Sequence, residues 1–449
     1  MTFVHPAPHA HALLAKLGPE ALVEALGVLG PESSSQWEHW DKLRHLEPPG
    51  GLTHEQWWLG VKFARSQLLR RLPLMDLDGK PFAYAMPDEV LRLLHHVDQH
   101  CGGEIAMRDV IISDGQSRER YLVNSLMEEA IRSSQLEGAT TSRSAALDLL
   151  RSGRPPKDRS ERMITNNYRA LEFIRDSLGS DLTPARVLEL HRIVTEGTLR
   201  DPPAAGRLQA PGEERVAVHD ATDGILVHTP PPAEQLPERL AALCAFANGE
   251  REAQGFMHPV VRAILLHFWL AYDHPFEDGN GRTARALFYW SMSRSGYWLT
   301  EYLSISRILR QAPAQYSEAF LLTETDEGDT TYFVIHQLKV IERAVKELHA
   351  YLSRKAREVR EAEKVAKATG DLNHRQLALI GDALRTPGRR YTYISHATSH
   401  GVTHETSRTD LTALEVLGLL TKTRVGRRHV FSPSPGLPDL LRNPAAGPG

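Results

Sequence analysis

The spacing of apolar residues along this chain is mostly helical. Apolar positions recur at helical spacing between Trp37 and Gly103, with breaks at residues 48–51 and 73–81. Helical segments dominate again from Arg118 to about Thr325. The residues from Tyr332 to Lys367 form one long charged helical pattern that ends near Gly370. We therefore predict a mainly α protein.

One segment departs from this helical period. Between residues 202 and 237, two β-type runs flank Asp223-Gly224, and three consecutive prolines at 230–232 end the second run. This pattern predicts a β-hairpin. A single hairpin in a helical domain either stabilises the surface or offers an edge strand to another molecule.

The C-terminal pattern predicts a second kind of domain. Helical patterns cover residues 373–384, 391–399 and 403–420, and the residues from Thr421 to Phe431 then alternate around Gly426. Three helices followed by a two-stranded wing are typical of a winged helix-turn-helix, which we place at residues 371–435. We expect residues 436–449 to form a flexible tail.

Length and charge refine this organisation. A chain of 449 residues suggests about three structural units. Its 53 Lys and Arg against 56 Asp and Glu create no overall field that attracts nucleic acid or anionic membrane. The predicted winged helix, however, has nine basic against five acidic residues. This basic end favours DNA as its partner, with a protein contact as the alternative.

Cysteine usage and hydropathy indicate the compartment. Cys101 and Cys244 are too few for a disulfide framework, which favours a reducing, cytoplasmic setting. The most apolar stretch, Ala263 to Tyr272, is interrupted by His267 and is too short to span a bilayer. We expect a soluble protein with no membrane partner.

The richest chemistry follows an apolar helix at Val260–Tyr272. The sequence from His274 to Arg285 places a histidine just past that helix and a Gly-Asn-Gly turn at the start of the next one. Two glycines let backbone N–H groups approach an anion, and the new helix adds its positive N-terminal dipole. This combination indicates a phosphate site.

Charged side chains in the same stretch complete that site. Arg282 and Arg285 are three residues apart and share a helix face, so they can clamp two phosphates. Asp278 offers a hard oxygen ligand for Mg²⁺, and His274 is a general base of suitable pKa.

This stretch resembles the Fic family signature, His-x-Phe-x-acid-Gly-Asn-Gly-Arg-x-x-Arg. Every specified position is met, by His274, Phe276, Asp278, Gly279, Asn280, Gly281, Arg282 and Arg285. The resemblance implies a helical Fic core at residues 118–337, a helical N-terminal extension at 1–117, and a helical linker at 338–370 that leads to the winged helix.

The family resemblance also implies an activity. Fic enzymes transfer AMP from ATP to a Ser, Thr or Tyr hydroxyl of a protein and release pyrophosphate. By resemblance His274 would be the base, Asp278 would hold Mg²⁺, and the amides of residues 279–281 would form the anion hole. The expected ATP contacts are Asp278, Gly279, Asn280, Gly281, Arg282, Thr283 and Arg285.

The predicted hairpin resembles the family's flap, which we place at residues 214–232. In that resemblance its inner strand lines the nucleotide through Ile225, Leu226, Val227 and His228, while its edge aligns the target segment by β-augmentation. Tyr316 resembles an aromatic position beside the adenine.

A second motif resembles the family's inhibitory pattern, Ser/Thr-x-x-x-Glu-Gly. It is met by Ser133, Glu137 and Gly138 at the end of a predicted helix at residues 125–138. By resemblance Glu137 pairs with Arg285 in the seat of the γ-phosphate, so that bound ATP is misaligned for attack. Taken alone, the motif also fits an ordinary capped surface helix.

Two rival functions remain at this stage. In some relatives the inhibitory glutamate orients a water that removes AMP, so the same site could run the reverse reaction. Alternatively, the protein is a DNA-binding regulator whose Fic core senses a nucleotide. Self-modification and a homodimer are further expectations of the resemblance.

Overall fold

The protein is described here from a computed structural model that covers residues 4–30, 37–102, 115–216, 218–219, 226–249, 255–369, 372–385, 389–425, 428–435 and 437. Its helices are α1 Ala10–Leu17, α2 Pro19–Leu29, α3 Trp40–Leu43, α4 His54–Ser66, α5 Asp88–Cys101, α6 Gly115–Leu136, α7 Arg143–Ser152, α8 Arg159–Asp176, α9 Pro184–Thr195, α10 Leu236–Asn248, α11 Pro259–Asp273, α12 Asn280–Arg294, α13 Ile305–Gln311, α14 Pro313–Glu324, α15 Thr331–Thr369, α16 His374–Arg385, α17 Tyr393–His400 and α18 His404–Val416. Its strands are β1 Arg70–Met75, β2 Pro81–Tyr84, β3 Val218–His219, β4 Leu226–His228, β5 Leu420–Val425 and β6 Arg428–Pro433. The prediction of a mainly helical chain is confirmed.

The described chain divides into two compact units. Residues up to Leu348 form the first, and residues from His349 onward form the second. The first unit contains both the predicted N-terminal extension and the predicted core. Each of the strand pairs β1–β2, β3–β4 and β5–β6 is an antiparallel two-stranded sheet.

Helices α11 and α12 form the centre of the first unit. Both are buried over most of their length, and α11 is apolar on nearly every face, as its sequence predicted. Phe268 of α11 packs against Phe333 of α15, with ring centroids 5.2 Å apart. The loop between α11 and α12 is therefore held by two helices that have little freedom to move.

Residues 70–84 form the hairpin β1–β2, where the sequence pattern predicted only a break in the helices, at residues 73–81. In β1 the buried residues Leu72 and Leu74 are two positions apart, which is the period of a strand. The turn is closed by Asp76, whose carboxylate accepts hydrogen bonds from two later backbone amides. Phe82 of β2 then packs against Tyr272, with centroids 4.8 Å apart, so the hairpin covers the end of α11.

The second unit packs α16, α17 and α18 against the pair β5–β6. Its buried cluster includes Leu411 and Leu414 of α18 and Phe431 of β6. Asp410 is buried but accepts hydrogen bonds from Arg375 and His396. Although burial opposes its charge, these partners lower the pKa of Asp410 to about 2. Predicted wing residues Gly426 and Arg427 lie outside the described residues.

Candidate functional site

His274 directly follows α11 and has a left-handed backbone, with φ 44° and ψ 52°. This conformation is unfavourable for a residue with a Cβ and persists only where the surroundings impose it. Arg215 supplies part of that restraint, because its Nη2 donates to the carbonyl oxygens of Asp273 at 2.8 Å and His274 at 3.1 Å. Arg215 was not among the predicted site residues.

The imidazole of His274 is held in its neutral form. Burial lowers the pKa of His274 to about 4, and the nearby charges of His228 and Arg215 act in the same direction. Among the described residues, its buried Nδ1 has no hydrogen-bond partner. At neutral pH the imidazole is therefore unprotonated, which is the form that a general base requires.

The loop after His274 is braced from inside by Asn280 and His191. The side-chain amide of Asn280 accepts from the Phe276 amide at 3.0 Å and donates to the Phe276 carbonyl at 2.8 Å. His191 of α9 stacks on the Phe276 ring, with centroids 3.7 Å apart, and its Nε2 donates to the Asp278 carbonyl. Sequence reasoning missed His191, whose signal was only a polar residue within an otherwise apolar helical stripe.

Both carboxylate oxygens of Asp278, in the same loop, accept hydrogen bonds. Its Oδ1 accepts from the Gly279 amide at 2.5 Å and from Arg282 Nη2 at 3.1 Å. Its Oδ2 accepts from Arg159 Nη2 at 2.9 Å. The Gly279 amide, predicted to face an anion, is therefore used by Asp278, whereas the amides of Asn280 and Gly281 begin α12, where first-turn N–H groups have no partner within the helix.

By resemblance Asp278 is expected to hold a Mg²⁺ ion that accompanies a nucleotide. No group of three or more His, Cys, Asp or Glu side chains that could hold a metal occurs within the described ranges. Mg²⁺ in nucleotide sites commonly uses one or two carboxylates and takes its remaining ligands from phosphates and water. Asp278 Oδ2 is suited to that role once Arg159 has moved from it.

Arg282 is fully buried, and its hydrogen bonds stabilise the loop that precedes α12. It donates to the Val194 carbonyl and to Asp278, while its Nε has no partner in the described part of the chain. Burial lowers its pKa, but a guanidinium remains charged at neutral pH. The buried hydroxyl of Thr283 is likewise unpartnered among the described residues.

The side chain of Glu137, which directly follows α6, contacts the first turn of α12. A Cβ built on Gly281 would clash with Glu137 Oε1 and would lie 2.9 Å from Arg285 Nη1. The carboxylate therefore sits against the backbone of Gly281, at the positive end of a helix. The resemblance to the family's inhibitory motif implied the pairing of Glu137 with Arg285, but not this contact with the glycine.

Arg285 is held by Ser133 and Glu137, which lie at the end of α6 and directly after it. Its Nη2 donates to Glu137 Oε1 at 2.8 Å, and its Nε donates to Ser133 Oγ at 2.9 Å. Burial alone would lower the pKa of Arg285, yet the carboxylate of Glu137 raises it. Arg285 Nη1 has no partner among the described residues, so the guanidinium retains one donor for a further anion.

Gly138 positions Glu137 by ending helix α6. Its φ of +91° is a left-handed conformation that glycine adopts without steric cost. The Ala139 amide donates to the Ser134 carbonyl and the Gly138 amide to the Gln135 carbonyl, which is a Schellman motif. The helix therefore stops with the Glu137 side chain directed at α12.

Glu129 anchors the same helix and was missed by sequence reasoning. It is buried, and its carboxylate accepts hydrogen bonds from the Ser304 hydroxyl and from the amide and hydroxyl of Ser306. These bonds join α6 to the start of α13. Burial raises the pKa of Glu129, and the serine bonds partly offset that effect.

The residues of the predicted flap are only partly described. Strands β3 and β4 pair with Val218 opposite His228, whereas Ile225 lies outside the described residues. The backbone of Leu226 and Val227 is extended within β4. The buried His228 contacts the Tyr272 carbonyl through Nε2 and Glu324 through Nδ1, which fastens the inner strand to the core.

The hydroxyl of Tyr316 points toward the interior. It lies 2.8 Å from His267 Nε2, and burial raises the pKa of Tyr316 to about 12. The charge of Arg285 opposes this shift, which places the phenol near the guanidinium. Tyr316 therefore lies beside the predicted phosphate clamp.

The close approach at Gly281 gives a test of the geometry. Gly281→Ala should lower the free energy of unfolding by about 1–3 kcal/mol, because the new methyl group overpacks against Glu137 and Arg285. The cost should be smaller in a Glu137→Gly background, where the carboxylate is absent. Chemical denaturation of the four proteins measures this coupling.

Gly27→Ala is the matched control, since a Cβ at that helical glycine would meet no atom within 4 Å. Equal costs of Gly281→Ala in both backgrounds would contradict the contact between Glu137 and Gly281.

Comparisons with known proteins show which family part of this chain resembles. Residues 181–292 match the model of the Fic/DOC family. The protein adenylyltransferase fic-1 of Caenorhabditis briggsae is 30% identical over 229 residues, which cover 48% of this chain and 40% of the relative. The protein adenylyltransferase Fic of Drosophila sechellia is 34% identical over 130 residues, which cover 28% of this chain and 24% of the relative. The chain thus spans two fifths or less of the length of these two relatives.

A solved structure supports the fold. A Fic family protein from Desulfovibrio desulfuricans superposes with a TM-score of 0.50 at 18% identity, over 79% of this chain and 98% of that chain. Residues 181–292 therefore resemble a Fic/DOC domain, and the relatives that the chain matches include Fic protein adenylyltransferases. Within the described residues, no helix is long and apolar enough to cross a membrane.

Proposed function

We propose that this protein transfers AMP from ATP to a hydroxyl side chain of a protein and that Glu137 restrains the transfer. The observation that carries the proposal is the place of the Glu137 carboxylate, which lies against Gly281 at the start of α12 and on Arg285. An anion already occupies the positive end of this helix. A polyphosphate fits the same electrostatic environment, and the homologues named above act as adenylyltransferases.

His274 acts as the general base of the proposed AMP transfer. Its neutral imidazole accepts the proton of the target hydroxyl, and the oxygen attacks the α-phosphorus. The bond from the α-phosphorus to the bridging oxygen breaks, and pyrophosphate leaves. The chain supplies orientation and charge neutralisation, which are the main requirements of phosphoryl-group chemistry.

The remaining residues bind and orient the nucleotide. Arg285 offers its unpartnered Nη1 to an outer phosphate, and the amides at the start of α12 face the phosphate chain. Asp278 would hold Mg²⁺ through Oδ2, and the ion would neutralise phosphate charge when bound. Asn280 and His191 keep the loop in the geometry that these contacts require.

Auto-inhibition follows from competition for Arg285. While Glu137 holds this guanidinium, an outer phosphate cannot take the same hydrogen bond. ATP then binds with its α-phosphorus displaced from the line of attack, and a misplacement of about 1 Å can cost about 100-fold in rate. Helix α6 maintains this state through Glu129 and the turn at Gly138.

The experiment is transfer of the α-phosphate label of ATP by the Glu137→Gly protein. We expect label on the protein itself or on a protein in a lysate, and mass spectrometry should locate an added AMP on Ser, Thr or Tyr. Label from the γ-phosphate should not be incorporated. Absence of α-label from both fractions would contradict the proposal.

The arrangement of the second unit favours an additional function, DNA binding by a winged helix. Helix α18 follows α17 after a short turn, and the pair β5–β6 follows as a wing. The N-terminal part of α18 exposes His404, Glu405 and Arg408, and the wing exposes Arg424. Such a helix can enter a major groove while wing cations contact phosphates.

Electrophoretic mobility shift tests this second function with the full-length protein. We expect binding to duplex DNA that weakens steeply as salt rises, and Arg424→Ala should weaken it uniformly across sequences and reduce the salt slope by about 1. Binding that is unaffected by this substitution and by removal of residues 371–449 would exclude the winged helix as the DNA contact.

A further inference from the structure

The two carboxylate oxygens of Asp278 have partners of different kinds. Oδ1 bonds to the Gly279 amide and to Arg282, which is fully buried and tied to the Val194 carbonyl. Oδ2 bonds to Arg159, whose side chain is 59% exposed. The partners of Oδ1 are fixed by the core, whereas the partner of Oδ2 can exchange with a cation from solvent.

Arg159 also makes a second hydrogen bond, to a backbone carbonyl. It is the first residue of α8, and its Nε donates to the Thr198 carbonyl at 2.8 Å. Rotation about the side-chain bonds before Nε turns the whole planar guanidinium. It releases Oδ2 without moving the helix, and water can replace both hydrogen bonds because the side chain is 59% exposed. Sequence reasoning did not select Arg159, because it lies 119 residues before Asp278 and outside any motif.

We propose that Arg159 is a positioning residue that occupies Asp278 Oδ2 as an exchangeable cation and competes there with Mg²⁺ that arrives with the nucleotide. The inference rests on the proposed function and adds to it. Arg159 thereby sets the Mg²⁺ concentration at which the site accepts a Mg²⁺–nucleotide complex. The restraint by Glu137 acts on Arg285 instead, so the two contacts restrain different parts of the substrate.

Electrostatics supports the competition. Mg²⁺ requires a ligand oxygen at about 2.0–2.1 Å in octahedral geometry. A guanidinium on the same oxygen would stand close to the ion, and the two positive charges would repel each other. The carboxylate also gives each cation less attraction when it is shared among Arg159, Arg282 and the metal. Removing the charge of Arg159 should therefore favour the metal.

The test measures nucleotide binding rather than transfer. The ligand is α,β-methylene ATP, which cannot donate AMP, and the parent protein is the full-length Glu137→Gly variant. Isothermal titration calorimetry at a series of Mg²⁺ concentrations gives the half-saturating Mg²⁺. Exposed ion pairs contribute only a small free energy. Arg159→Gln should therefore lower the half-saturating Mg²⁺ concentration about two- to fivefold.

Arg159→Lys separates charge from local structure. Lysine and glutamine both lose the fork of the guanidinium, but only lysine keeps the positive charge. Arg159→Lys should therefore stay near the parent value. Arg169→Gln is the matched control, since Arg169 lies on the same helix but pairs with Glu196, and it should change nothing.

Two results would overturn the inference. One is an unchanged Mg²⁺ requirement in Arg159→Gln. The other is an equal loss of analogue affinity in Mg²⁺ and in EDTA, which would make Arg159 a phosphate contact.

Electron paramagnetic resonance of Mn²⁺ without nucleotide gives an independent readout, in which Arg159→Gln should tighten Mn²⁺ binding and Asp278→Asn should weaken it. If the parent protein binds Mn²⁺ but does not bind the ATP analogue, the proposed function is wrong. The effect of Arg159→Gln on Mn²⁺ affinity then still tests this inference.

Discussion

Glu137→Gly is expected to raise the rate of AMP transfer about 10- to 100-fold. The substitution frees Arg285 for an outer phosphate and clears the space against Gly281, so ATP can bind with its α-phosphorus in line with the target hydroxyl. The rate of α-label incorporation from ATP, compared between wild type and variant at equal Mg²⁺, measures the effect.

Two variants control for this result. Glu137→Gln keeps the size of the side chain but removes its charge, so we expect a smaller increase. Glu128→Ala lies on the same helix, where Glu128 pairs with Arg132 and Arg143 outside the site, and it should leave the rate unchanged. A rate that does not rise in Glu137→Gly would mean that the carboxylate does not restrain ATP.

His274→Ala in the Glu137→Gly background should reduce transfer about 100- to 10,000-fold. The substitution removes the neutral imidazole that accepts the hydroxyl proton, and general-base catalysis is usually worth this much. Affinity for α,β-methylene ATP should change little, because the binding contacts proposed for the phosphates come from α12 and Arg285. Single-turnover transfer and calorimetry separate the two effects.

His258→Asn is the control at the opposite end of α11. His258 accepts the Val260 amide as the cap of that helix, and asparagine can cap in the same way, so transfer should be unaffected. Retention of transfer by His274→Ala would assign the base to another group.

Much of the site could be predicted from the sequence because its elements are local. The residues from His274 to Arg285 form one short connection after α11 and the start of α12. Spacing along the chain therefore determines which of the helical ones share a face. The strongly apolar pattern of α11 also predicted its burial. Helix positions in the second unit were predicted well, because caps such as Thr403 and turns such as that at Gly401 have distinct local signals.

Errors and omissions arose where partners are far apart in the chain. The hairpin β1–β2 was missed because its alternation is short and interrupted by proline, and because Phe82 finds its place only against Tyr272 of α11. Arg159, His191, Arg215 and Glu129 were missed for the same reason. Each meets its partner across at least 58 residues of chain, and no local pattern distinguishes them from ordinary charged or polar residues.

The sequence by itself determined the helical class, the Fic signature and the presence of a carboxylate motif that can reach Arg285. Tertiary structure decided how these parts act on one another. It placed Glu137 against Gly281 and gave Asp278 two arginine partners. Burial also lowered the pKa of His274 to about 4. These properties depend on distance, dielectric environment and steric fit between distant segments, and such quantities exist only once the chain has packed.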